Sequence, residues 1–202
     1  MTESPAETPL LSALRCTAAF LDARRQPWAL VGGLAVSVRV EPRFTRDIDV
    51  AVAVTNDAAA EFLVSELVAA GFALQLSLEQ HALGRLAAVR VVPPGQHEEG
   101  IVVDLLFTSS GIEPEICQDA ERLELAPGLT VPVALAEHLV AMKLLALAPD
   151  RPHDAMDLRG LVIALTPAQR ARAGEAVARI EALGANRGRP LGAELQHWLG
   201  RN

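Results

Sequence analysis

Arg43-Phe44-Thr45-Arg46-Asp47-Ile48-Asp49-Val50, running on as Ala51-Val52-Ala53-Val54, is the stretch from which the fold can be read outward. From Ile48 to Val54 it is β-branched and apolar, which predicts a buried strand. Asp47 and Asp49 stand at i and i+2. Side chains alternate faces along a strand, so both carboxylates point the same way. Two carboxylates about 4 Å apart repel by roughly 4 kcal/mol at an effective dielectric of about 20. A divalent cation relieves that repulsion directly, and hard oxygen ligands suit Mg2+ or Mn2+.

Upstream, Trp28-Ala29-Leu30-Val31 predicts a short strand running into Gly32-Gly33, and the apolar stretch Leu34 to Val40 predicts a helix behind the glycines. A glycine turn at a helix N-terminus lets backbone N–H groups approach a phosphate closely. Further back, Leu11, Leu14, Ala18 and Leu21 recur at helical spacing, predicting a helix from Leu10 to about Arg25 that ends before Pro27, with residues 1–9 as an irregular leader. Downstream, Asn56 is a helix cap and Gly71 a helix stop. Phe72 to Leu78 and Leu86 to Val92 read as strands, with Pro93-Pro94-Gly95 as a turn. Ile101 to Phe107 reads as another buried strand, interrupted by Asp104. A charge there is costly unless it is paired or bound to metal. If this strand lies beside the one carrying Asp47 and Asp49, three carboxylates converge, and such a set can hold two cations for in-line displacement at phosphorus.

Beyond residue 120 the texture changes. Glu121 to Val131 predicts a hairpin around Pro127-Gly128, and Val133–Leu147, Asp154–Leu165, Pro167–Leu183 and Leu191–Leu199 all read as helices. The expectation is an α/β chain: residues 1–132 form a mixed β-sheet flanked by helices, and residues 133–202 form a C-terminal helical bundle packed on that core.

Composition narrows the function. Half of the 202 residues are hydrophobic and only 3% are aromatic, which predicts an aliphatic core. The net charge of −7 argues against a large nucleic-acid interface and leaves room for a local basic patch. Cys16 and Cys117 lack metal-ligand spacing, so a disulfide framework is not expected and a reducing cytoplasm fits. No basic-then-apolar segment opens the chain, and charge interrupts every apolar run before about 18 residues, so neither a signal peptide nor a membrane span is expected. Lys143 is the only lysine, set between apolar Met142 and Leu144. His138 on a helix, and His81, His97 and His197 in polar settings, read as structural or solvated.

The order Gly-Gly, helix, Asp-x-Asp, then a strand Asp resembles the nucleotidyltransferase superfamily that shares the DNA polymerase β core. The resembling segments are Leu30-Val31-Gly32-Gly33-Leu34-Ala35-Val36 and Arg43 to Val50, with Asp104 matching the third acid. The spelling Arg-x-Thr-x-Asp-Ile-Asp looks more narrowly like the AbiEii/MenT-type toxin nucleotidyltransferases. That group adds a helix lysine, matched by Lys143, and a Lys-Asp-x-x-Asp-like motif, matched by Asp154 and Asp157, with His153 where a basic residue is usual. The resemblance covers roughly residues 28 to 165. It implies catalytic Asp47, Asp49, Asp104 and Lys143, with the three acids holding Mg2+ or Mn2+. It places Gly32, Gly33, Thr45, Arg46, Lys143 and Asp154 at the nucleotide.

The activity so implied is transfer of NMP from an NTP to an acceptor hydroxyl, with RNA (a tRNA 3′ end) as the acceptor, a cognate antitoxin as partner and no membrane. Two alternatives stay open. A small-molecule nucleotidyltransferase of the aminoglycoside-modifying kind fits the acidic charge better and the motif around Lys143 and Asp154 less well. A non-catalytic, partner-binding module of the same fold is disfavoured by the presence of all three acids.

Overall fold

The computed structural model describes residues 7–42, 44–80, 85–96, 100–107 and 109–200. Arg43, His81 and His97, and residues 1–6 of the leader, lie outside the described residues. Chain order is α1 (Pro9–Ala23), β1 (Trp28–Val31), α2 (Gly32–Arg39), β2 (Asp47–Val52), α3 (Asp57–Ala69), β3 (Ala73–Gln80), β4 (Arg85–Val92) and β5 (Val102–Leu106). There follow α4 (Glu113–Asp119), β6 (Glu121–Ala126), β7 (Leu129–Val133), α5 (Ala136–Ala146), α6 (Pro152–Ala164), α7 (Pro167–Ala182) and α8 (Leu191–Leu199).

The strands form one mixed sheet in the order β3-β4-β5-β2-β1-β7-β6. β2 lies antiparallel to β1 and parallel to β5, and β5 lies antiparallel to β4. Pairing of β2 with β5 places Ile48 opposite Val103 and Val50 opposite Leu105, and all four are fully buried. Their neighbours Asp47, Asp49, Val102 and Asp104 take the other face of the same two strands and are only partly buried. The period of two in the sequence thus separates a core face from a polar face. The core is aliphatic, with Leu14, Leu21, Leu30, Ile48, Leu67, Leu105, Leu139, Leu144 and Leu158 among its largest enclosed side chains.

Local signals explain most element ends. The Thr8 hydroxyl accepts from Leu11 N–H and caps α1, and the Asn56 carboxamide accepts from Ala59 N–H and caps α3. Gly71 follows α3 at φ +91°, a backbone region open to glycine. A capping box between Thr166 and Gln169 starts α7.

Two elements differ from the sequence expectation by more than two residues at an end or in being present at all. The helix expected from Val133 begins at Ala136, because Val133 still pairs with Glu121 of β6 and with Leu30 of β1. Helix α4 was not expected; at seven residues it is shorter than the window over which periodicity can be read. Its start signals are nonetheless present in Pro114 and in the acids Glu113 and Glu115.

Helices α5 to α8 pack on one another, and α5 and α6 also pack on α2. The Arg189 guanidinium donates to the carbonyls of Leu144, Leu145 and Leu147 at the end of α5 and pairs with Glu194. That satisfies carbonyls left over at a helix C-terminus and fixes the turn between α7 and α8.

Candidate active site

The site begins as one row across the sheet. Val31 pairs with Asp49, Asp49 with Asp104, and Asp104 with Arg90, so β1, β2, β5 and β4 each place one residue on a single line. Directly paired residues project to the same face, and neighbouring strands lie about 4.8 Å apart. Asp49 and Asp104 are therefore adjacent, and Asp47 lies two residues back along β2 on that face.

Asp49 is seated against the start of α2. Gly32 has φ +64°, and a Cβ built there would lie 1.8 Å from Asp49 Oδ2. The carboxylate occupies the space that a side chain at position 32 would need, and Gly33 N–H donates to it. The glycine pair thus serves an internal anion, Asp49. Burial, followed by the charges of Asp47 and Asp104, pushes the Asp49 carboxyl up to about 6 against the opposing pull of Lys143 and Gly33 N–H. Gly32→Ala is expected to be doubly damaging. An L-residue at this φ costs roughly 1–2 kcal/mol, and the added methyl displaces the carboxylate. Melting should fall by several degrees and transfer by more than about tenfold. Wild-type melting and rate in this variant would mean that Asp49 is not seated there.

Thr45 orders the neighbouring acid. Its hydroxyl lies 3.0 Å from Asp47 Oδ1 and 3.1 Å from the Asp47 carbonyl oxygen, within donor range of both. Arg46 is exposed, with its guanidinium 5.6 Å from the centre of the Phe44 ring.

Opposite the acids stands Lys143, buried on α5. Its ammonium donates to Asp154 Oδ1 at 2.6 Å and lies 2.9 Å from Asp157 Oδ2, both on α6. Arg151 Nε adds a third cation–anion contact, 3.3 Å from Asp154 Oδ2. The i, i+3 spacing of the two aspartates places both on the helix face that meets α5.

A cleft of ≈ 670 Å3 separates these groups, large enough for a nucleotide. Its walls include Gly32, Asp49 and Asp104 on the sheet side and Lys143, Arg151 and Asp154 on the helical side. Asp47, Gly33, Thr45 and Arg46 are not among the described residues that line it.

Besides Arg151, sequence reasoning missed contributors to this cleft in three places. Arg90 holds Asp104 through one guanidinium edge, Nε and Nη2 donating to the two carboxylate oxygens at 2.7 and 2.6 Å, and the pairing raises the arginine's own pKa. Arg187 reaches the rim from the α7–α8 turn with φ +54°, in the left-handed region that non-glycine residues rarely adopt. Ser109 and Ser110 follow β5, and buried Glu113 accepts from both hydroxyls and from Ser110 N–H. The alternating pattern of β4 was the available signal for Arg90. The other two depend on turn geometry.

The other titratable candidates lie away from this chemistry. His138 is buried in α5 and its pKa is lowered, mainly by burial. Cys16 and Cys117 are both free, and burial pushes the Cys117 thiol up to about 12. Among the described residues, no helix is long and apolar enough to cross a membrane.

The acid-rich strand pair fits a divalent cation in residue type and register. As the side chains stand, though, no three ligating groups converge on one point among the described residues. Both oxygens of the third acid, Asp104, meet the Arg90 guanidinium.

Comparison with known proteins bears on this arrangement. No curated protein sequence matches the chain. Among solved structures, the fold is similar to that of the antibiotic-resistance factor ANT(2'')-Ia, at 14% identity and a TM-score of 0.53, covering 96% of this chain and 98% of that one. It is also similar to an antigenic nucleotidyltransferase-like protein from Paracoccidioides brasiliensis, at 17% identity and a TM-score of 0.51, covering 91% and 94%. A further match is the nucleotidyltransferase toxin MenT4 from Mycobacterium tuberculosis H37Rv, at 17% identity and a TM-score of 0.46, covering 85% and 69%. At these identities the first two likenesses are of fold alone. The model of the AbiEii nucleotidyl transferase toxin family, of type IV toxin–antitoxin systems, matches residues 16–199, a span that includes the acid row, the lysine and the helical bundle. With nearly the whole chain inside that match, the protein belongs to the AbiEii family and is a nucleotidyltransferase.

Proposed function

We propose that this nucleotidyltransferase moves NMP from an NTP to a hydroxyl of an RNA acceptor, the 3′ end of a tRNA, and releases pyrophosphate. The observation that carries the reading is a cleft that brings carboxylates and cations together. Asp49 and Asp104 stand on the sheet wall with Arg90, and Lys143, Arg151 and Arg187 line the helical side with Asp154. A triphosphate needs cations along its oxygens, and Lys143 supplies a compact one while Arg151 and Arg187 extend the positive rim outward. That rim suits an acceptor carrying phosphates.

Asp47 and Asp49 would hold Mg2+ or Mn2+, joined by Asp104. A cation there would neutralise charge at the reacting phosphate and lower the pKa of the acceptor hydroxyl. The chain's own part is positional. Thr45 sets the Asp47 carboxylate, Gly32 and Gly33 set Asp49, and Asp154 and Asp157 fix Lys143. Residues 1–132 would act as the core and 133–202 as the part that closes the cleft. Membership in a toxin–antitoxin family supports a cognate antitoxin as a partner.

The net charge of −7 favours a second reading, a cationic small-molecule acceptor of the aminoglycoside kind. One experiment separates the two. The protein is incubated with each α-labelled NTP and Mg2+, once with total cell RNA and once with an aminoglycoside panel. Label in a small RNA, lost on treatment with a 3′-exonuclease, is the expected result. Label only in the aminoglycosides would establish the second reading. NTP binding without label in either acceptor would leave a non-catalytic module.

A further inference from the structure

Arg90 stands inside the cleft and has no place in the proposed chemistry so far. It lies on β4, in register with Asp104 on β5, and its guanidinium engages both Asp104 oxygens at 2.7 and 2.6 Å. The carboxylate is the more enclosed partner: 18% of the Asp104 side chain is exposed against 40% of the Arg90 side chain. A planar fork on a carboxylate is among the stronger contacts that a protein makes, and its positive charge repels a cation approaching the same oxygens. Asp49, the neighbour of Asp104 in the row, has no such guanidinium in its described contacts and rests on Gly33 N–H. The three acids are therefore unequal: in their described contacts Asp47 meets the Thr45 hydroxyl and Asp49 the Gly33 N–H, while Asp104 is held by a guanidinium.

We propose that Arg90 is an exchangeable clamp, holding Asp104 while the cleft has no nucleotide and transferring to the phosphates when an NTP enters, so that the third carboxylate becomes available only with the nucleotide. This rests on the NTP-and-cation reading above. Arg90 and Asp104 line the same cleft, so the guanidinium has phosphate oxygens within its reach as soon as a triphosphate occupies it. The exchange swaps one charge-assisted pair for another and frees Asp104 at no net loss of pairing. Nucleotide and cation then bind cooperatively, each raising the other's affinity by the same factor. The arrangement would keep the chain from loading its full cation set, and so from reacting with water or a stray acceptor, before an NTP is in place.

The test is Mn2+ binding to the full chain, followed by the EPR signal of free Mn2+, with and without an α,β-methylene NTP. Mn2+ held by the nucleotide alone is subtracted. Arg90→Gln should bind Mn2+ about tenfold more tightly than wild type in the absence of nucleotide, the size of an ordinary coupling. Arg187→Gln removes the same charge from the same rim without touching Asp104, and should stay within about a factor of two of wild type. Equal tightening in both variants would reduce the effect to net charge and overturn the clamp. Asp104→Asn covers the case in which Arg90→Gln does not fold. Without nucleotide it should bind Mn2+ as wild type does, and with nucleotide about tenfold more weakly. Weakening in both states would mean that Asp104 is a ligand throughout, which overturns the proposal while the cation site stands. No Mn2+ bound by any variant, even with nucleotide, would overturn the cation reading itself and the clamp with it.

Discussion

Asp49→Asn is expected to abolish nucleotide transfer, by at least ~10^3-fold, while making the metal-free protein harder to melt. The loss of activity follows from removing a charge from the centre of the acid row. The gain in stability follows from the raised pKa. Burial and the charges of Asp47 and Asp104 lift the Asp49 carboxyl from 3.8 to about 6, so the folded chain holds this proton more tightly than the unfolded chain does. The stabilisation that comes with the proton is fully present below about pH 4 and is lost as pH rises through about 6. At pH 7 the ionised carboxylate therefore opposes folding by on the order of 2 kcal/mol, reduced by the solvent that reaches a partly buried group. An asparagine keeps an oxygen for Gly33 N–H and carries no charge. Melting curves from pH 4 to 8 check this. The variant should melt with wild type near pH 4 and pull ahead by roughly 2–6 °C above pH 6. A variant that melts well below wild type at pH 7 would make Asp49 a structural residue.

Lys143→Ala is expected to be the most destabilising single change in the cleft. Only 10% of the lysine side chain is exposed, and its two partners Asp154 and Asp157 are at 8% and 2%. Without the ammonium, two buried carboxylates lose the cation they share, and Arg151 stays beside Asp154. Removing one partner of a buried ionic group costs about 3–5 kcal/mol, which is roughly 10 °C of melting temperature for a chain of this size. Transfer should be lost as well, because the positive charge that acts on Asp49 goes with it. A stable protein without the lysine separates the two roles. Lys143→Met combined with Asp154→Leu and Asp157→Leu replaces the three buried ionic side chains by apolar ones, a change that is often neutral for stability. Melting should recover and transfer should not. If transfer recovers too, the lysine is only a structural counter-charge. Failure of Lys143→Ala to lower melting would mean that the ion triad contributes nothing to the fold.

The local part of this protein was legible in its sequence. Trp28 to Val31 as a strand, the Gly-Gly turn, the Asn56 cap and Gly71 stop, and the strands around Asp49 and Asp104 all depend on neighbours within a few residues. The period of two in β2 and β5 also placed the acids on a shared face, because the pleat alternates whatever lies beside it. Helix α4 escaped because about two turns carry too little period to read.

What the tertiary structure alone decided is pairing across distance. Nothing local requires β5 to lie beside β2 in the register that sets Asp104 against Asp49, since Ile101 to Phe107 would be equally buried against another strand. Nor does the sequence around Arg90 mark it as the partner of Asp104, 14 residues away, because that match exists only once β4 and β5 align. The glycine pair suggested room for a phosphate. The fold uses that room for Asp49, because a side chain reaching over from β2 meets the same N–H groups as a ligand would. Lys143, set among apolar neighbours, suggested a contact with substrate. The packing of α5 on α6 adds two buried aspartates, because an ammonium can leave water only where opposite charge is already in place. Residue type and spacing therefore determined which groups could do chemistry here, and strand register and helix packing decided which of them stand together.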